Sequence, residues 1–164
     1  MVAVGLGSIV VTASAMLMYF SARSYAALAN YVDLDQYSRK ALDVLSKHIR
    51  QADKVNYASS SQIVMSYGGL SSNLSFTFNP TTRTLVYTNG TDHETLLSEC
   101  DSLTFSIYQR NTASNTFDQF PAATAANAKL IQISWTCSRT ILGRKVNTES
   151  VQSAKIVIRK QDQM

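Results

Sequence analysis

Apolar positions open the chain as a continuous run and then settle into a helical stripe. Met1 to Phe20 (MVAVGLGSIVVTASAMLMYF) carries no charged side chain, and the first charge is Arg23. About 20 such residues, at 1.5 Å rise each, cross the roughly 30 Å hydrocarbon layer as a helix. Their Ser and Thr hydroxyls can bond back to the preceding turn, so they do not spoil a span. From Ser21 to about Asp53 the pattern is amphipathic. Tyr25, Leu28, Val32, Leu42, Leu45, Ile49 and Ala52 recur at helical spacing, with a weaker middle around Tyr37 and Ser38. Asp33, Asp35, Arg39, Lys40, Asp43, Lys47, Arg50 and Lys54 fill the other faces, and Asp35–Arg39 and Asp43–Lys47 stand at supportive i,i+4 separations.

No Pro occurs before Pro80, and the only early glycines are Gly5 and Gly7. Nothing therefore stops one helix of about 53 residues, on the order of 80 Å long. Its first half is greasy all round. Its second half has one apolar stripe that must dock, and Tyr25, Leu28, Val32, Leu42, Leu45 and Ile49 are the expected helix-to-sheet contacts. A cleaved signal peptide competes for the opening run, with Ser21-Ala22 as its imitation cleavage site. It calls for a basic residue before the apolar stretch, which is absent, and the helical pattern continues past Ala22 without a break. A retained membrane helix is the stronger reading.

After Asn56 the period changes to two. Short β-type runs at 62–67, 74–78, 84–87, 95–97, 103–108, 130–137 and 154–159 are separated by turn residues, including Asn79-Pro80 and Asn89-Gly90. No helix-length segments lie between them, so antiparallel meanders are expected rather than a doubly wound sheet. The predicted fold is α+β: residues 1–22 the membrane or filament-core half of a helix, 23–55 its amphipathic half, and 56–164 a β-sheet head. Asn111–Asn127 reads as a long hairpin loop. Ile141–Ser153 reads as a second connection, with Gly143 beside Arg144 and Lys145 in a solvated basic loop.

Composition narrows the functional classes. Only 16% of the residues are charged, against about 25% in an average soluble protein, as a charge-free opening requires. The net charge of +4 is spread along the chain, so a nucleic-acid partner is not supported. Two cysteines exclude a disulfide-dense scaffold and a four-cysteine zinc site. His48 and His93 form no helical ligand pair. There is no G-x-S-x-G, P-loop or G-x-G-x-x-G following a strand, so neither catalysis, a cofactor nor a metal is expected. Cys100 precedes one strand and Cys137 lies late in the next long one. Antiparallel pairing would bring the two thiols together, either as a disulfide or as two free, partly buried thiols.

A charge-free N-terminal helix, continuing into an amphipathic half and then an antiparallel sheet, resembles type IV pilins and the pseudopilins of type II secretion. MVAVGLGSIVVTASAMLMYF looks like the hydrophobic segment that follows the family's cleavage and methylation motif, a leader Gly followed by Phe-Thr-Leu-Ile/Val-Glu. Residues 103–108 and 154–159 look like strands of the minor, larger-headed members, the PilW-like and J-type pseudopilins. This sequence opens at Met1-Val2-Ala3, just past the motif, so the resemblance implies a start upstream or a truncated chain.

The resemblance further implies a structural subunit held in the inner membrane, its head in the periplasm or outside the cell. Such a subunit is drawn into a filament of pilin or pseudopilin subunits by assembly-platform proteins. Ala3, Gly5, Gly7, Ser8 and Ala13 would then allow close helix packing. The alternative is a signal-anchored extracytoplasmic module that grips a ligand or peptide with its long loop and sheet edge.

Overall fold

The computed structural model describes residues 2–67, 70–110, 119–121, 124–141 and 143–159. Among the described residues one α-helix, α1 (Val2–Gln51), leads into nine strands: β1 (Lys54–Ala58), β2 (Gln62–Tyr67), β3 (Leu70–Asn79), β4 (Thr84–Asn89), β5 (Asp92–Leu97), β6 (Cys100–Arg110), β7 (Gln119–Pro121), β8 (Leu130–Ile141) and β9 (Arg144–Val157). The fold is α+β, as the periodicities predict.

At 50 residues, α1 is about 75 Å long. Within its apolar run the hydroxyls of Ser8, Thr12 and Ser14 donate to the carbonyls of Gly5, Ser8 and Val10, so none presents an unsatisfied proton to an apolar surrounding. The helix closes with Ala52 N–H donating to the His48 carbonyl, and Asp53 N–H then donates to Ser66 of β2. Arg50 sits in the last turn, where a cationic side chain suits the helix dipole.

The strands form two antiparallel sheets, one ordered β1-β2-β3-β4-β5 and the other β7-β6-β8-β9. The first is a pure meander. Its β3–β4 turn is held by Asn79 Oδ1, which accepts from the N–H groups of Thr81 and Thr82. Its β4–β5 turn pairs Asn89 with Asp92 across Gly90-Thr91, and Gly90 takes φ +61° at the first loop position. Glycine suits that conformation because it has no Cβ to clash.

Backbone bonds stitch the two sheets together. Phe105 N–H of β6 donates to Ser60 in the β1–β2 turn, and Cys100 N–H donates to Arg83 in the β3–β4 turn. One apolar core runs through both sheets and the lower helix. It includes Leu45 and Ile49 of α1, Ile63, Met65, Phe76 and Leu85 of the first sheet, and Ile131, Ile133 and Trp135 of the second.

Three expectations need correction. β1 takes up residues assigned to the helix and its exit. It is an edge strand with one buried side chain, Val55, and so lacks the alternation that marks a strand. The connection expected over 141–153 is the greater part of β9, which pairs with β8 from Ile141↔Arg144 to Leu130↔Val157. Backbone pairing on an existing strand holds this polar segment, and hydrophobic alternation does not reveal it. The predicted loop 111–127 contains β7, paired with β6 at Tyr108↔Pro121, and a 3-10 turn at Ala125–Asn127. Residues 111–118 and 122–123 of that loop lie outside the described residues.

Candidate functional site: the projecting helix and the joint between the sheets

No residue from Ala3 to Asp33 is buried, and the first buried side chain of α1 is Leu34. Fourteen large apolar side chains between Val4 and Val32 are exposed, among them Ile9, Val11, Leu17 and Phe20. Removing each from water is worth about 1.5–3 kcal/mol. The sum is on the order of 30 kcal/mol, several times the 5–15 kcal/mol stability of a typical domain. A surface of that size left in water would dominate the behaviour of the chain. The helix is long and apolar enough to span a membrane.

Within this region Ser8, Ile9, Thr12, Ala13 and Met16 line a shallow groove along the helix. Gly5 and Gly7 have helical backbone, and a Cβ added to either would meet nothing within 4 Å. No contact described within the chain accounts for these two missing side chains. Ala3 lies on the same exposed segment.

Below Val32 the helix docks, along a line different from the one expected. Leu34, Ser38, Ala41, Leu45, Ile49 and Ala52 are buried, and Leu42 is half-buried against the core. Leu45 and Ile49 thus lie in the core. Tyr25, Leu28 and Val32 are exposed, at 72%, 60% and 44%. Full burial begins at Leu34, while Arg23, Ala27 and Asn30 above it are half-buried.

Ser38 is the residue that obscured the stripe. It is 1% exposed, and its Oγ accepts from the indole N–H of Trp135 at 3.2 Å. A polar position inside an apolar stripe signals such a partner, but sequence spacing does not say which residue supplies it.

Polar clamps hold the helix to the head around this core. Arg139 Nη1 reaches Asp33 at 3.1 Å while its Nε donates to Glu99. Those two carboxylates, Glu99 first, hold its guanidinium above the usual arginine range. Lys40 pairs with Glu94 at 3.1 Å, and Gln152 donates to Asp35 at 3.4 Å. At the helix end the His48 ring stacks on Tyr87 with centroids 4.9 Å apart, and Tyr67 donates its hydroxyl proton to Gln51. Burial, and secondarily the Lys47 charge, lower the His48 pKa.

A second polar cluster joins the sheets. Arg83 Nη2 lies 2.5 Å from Asp101 Oδ1, 3.0 Å from the Glu99 carbonyl and 2.9 Å from the Ser138 carbonyl. Ser138 Oγ donates to the other Asp101 oxygen. Arg83 and Glu99 have φ of +55° and +58°, conformations that cost non-glycine residues about 1–3 kcal/mol and persist where surroundings over-determine them. The guanidinium contacts supply that constraint. Cys100 and Cys137 are register partners in this cluster and carry free thiols. Among the described residues no group of three or more His, Cys, Asp or Glu is placed to hold a metal ion.

The whole is a long apolar N-terminal helix packed on antiparallel sheet, a generally pilin-like architecture. Comparison of the chain with protein-family models, curated proteins and solved structures finds no match to any of them.

Proposed function

We propose that the chain is a non-catalytic structural subunit, a minor pilin or pseudopilin of a type IV pilus-like or type II secretion filament. It is anchored in the inner membrane before assembly, with its head in the periplasm or outside the cell. The observation that carries this reading is the division of α1: a bare apolar rod through Val32, and a docked stripe from Leu34. A rod of this length satisfies its own backbone bonds and needs only an apolar surrounding. Lipid supplies that before assembly, and the rods of neighbouring subunits supply it afterwards.

Gly5, Gly7, Ser8 and Ala13 support the second surrounding. Small side chains let helix backbones approach closely where no hydrophobic force separates protein from lipid. The hydroxyl of Ser8 is already spent on its own helix, so it packs as a small surface. Other pilin-like subunits and the assembly platform are the partners this reading requires, and the head's sheets would face outward.

The test is a photo-crosslinking residue at Ala13 in the membrane-expressed chain. Adducts to a second copy or to another pilin-like subunit are the expected result. A protein that remains monomeric in the membrane and saturably binds a small ligand or peptide through its head would overturn the proposal in favour of an anchored binding module.

A further inference from the structure

Cys100 and Cys137 stand opposite each other across β6 and β8, and the flanking backbone bonds decide what kind of pair they form. Ser138 N–H donates to the Glu99 carbonyl at 3.0 Å, linking the residue after one cysteine to the residue before the other. Cys100 N–H points away from β8, to the Arg83 carbonyl at 2.9 Å. The cysteines are therefore a non-hydrogen-bonded pair, the narrow kind, whose Cα atoms lie about 4.5 Å apart with side chains on one face. A disulfide accepts Cα separations of about 4.4–6.8 Å. Immediately after Cys100 the register shifts by one residue, leaving Asp101 as a bulge. Both thiols are buried, at 0% and 1% exposure, and the Cys100 thiol donates to the Ser102 carbonyl at 3.2 Å.

We propose that Cys100 and Cys137 are a disulfide-forming site, bonded to each other in the mature protein and closing the segment between them into a covalent loop. The inference stands on strand register and is independent of the filament reading. Cys100 is the attacking sulfur, since it opens β6 and the Asp101 bulge breaks the ladder directly after it. That thiolate attacks one sulfur of a disulfide oxidant, a small-molecule disulfide or an oxidase that carries one. A mixed disulfide forms and the first oxidant thiolate leaves, taking up the Cys100 proton. Cys137 then attacks Cys100 Sγ, and its proton goes to the second departing thiolate. Two thiols are oxidised and one disulfide is reduced.

The burial of both sulfurs places this exchange before the core closes, or during opening of the β6–β8 pair. Once made, the bond pins the bulge on which Asp101 receives Arg83 and Ser138, and so fixes the joint between the sheets.

The experiment refolds the reduced full chain in detergent with a mixture of reduced and oxidised glutathione, then unfolds it in acid and alkylates it. A mass lower by two hydrogens, no alkylation, and an unreduced digest containing joined Cys100 and Cys137 peptides are expected. Reductant should lower the melting midpoint by roughly 10 °C, and a Cys100→Ala/Cys137→Ala chain should show no response to it. Cys137→Ser should trap glutathione on Cys100. Two alkylated thiols, or separate glutathione adducts on both cysteines of the native chain, would overturn the proposal. A bond that forms while the midpoint ignores reductant would overturn its role in fixing the joint.

Discussion

The two halves of α1 share one backbone and obey opposite rules of burial. From Ala3 to Phe20 apolar side chains cover the helix on all sides, and none is buried as far as Val32; from Leu34 to Ala52 a single stripe is buried and charged residues occupy the rest. The lower half is the ordinary case of an amphipathic helix whose stability comes from tertiary packing. Among the described residues the upper half has no buried side chain, so its surroundings must come from elsewhere. One continuous hydrogen-bond ladder thus carries two solvents' worth of side chains, with the change falling between Val32 and Leu34.

Substitutions should separate the halves, the largest effect coming first. Ile9→Lys puts a charge mid-span, at a cost of about 2.5–3.5 kcal/mol, on the order of a hundredfold in insertion. Membrane fractionation should show loss of retention, with the melting midpoint of the head unchanged. Leu45→Ala empties a fully buried position and should cost about 2–5 kcal/mol in denaturant unfolding. Leu28→Ala, on the bare side, should stay within about 0.5 kcal/mol. A matching loss at Leu28 would erase the distinction.

Ser38→Ala should cost about 1–3 kcal/mol by leaving the buried Trp135 N–H without an acceptor. A change in the near-ultraviolet signal of the tryptophan would accompany it. The smallest effect concerns His48. Its folded-state pKa lies below the ordinary 6.5, so the unfolded chain binds the proton first. Stability is therefore full above about pH 6.5 and declines as pH falls through that value towards the folded-state pKa. His48→Phe keeps a ring against Tyr87 and should flatten this part of the profile in thermal melts.

The same contrast explains what was legible in the sequence. The helix and the central strands announce themselves because their side chains repeat at 3.6 or 2 residues, and burial of one face imposes the repeat. The span Met1–Phe20 is read from the absence of charge alone. Tyr25, Leu28 and Val32 are apolar at helical spacing yet exposed, because spacing cannot tell whether the partner lies inside the chain or outside it. Ser38 hid the true line, since its acceptance of the Trp135 proton spans 97 positions.

Edge strands were hardest. β1 and much of β9 hold their place by backbone pairing, which leaves little trace in side-chain pattern. The cysteine register was foreseeable from strand order, whereas the Arg83 cluster was not. It depends on a turn in one sheet meeting a bulge in the other.

The central claim is that the head owes nothing to the upper helix, and removal of residues 1–22 tests it most directly. The shortened chain should leave the membrane fraction and unfold cooperatively with a midpoint equivalent to that of the full chain, within about 0.5 kcal/mol. A shortened chain that fails to fold, or a full chain that is already freely soluble and monomeric, would contradict the account.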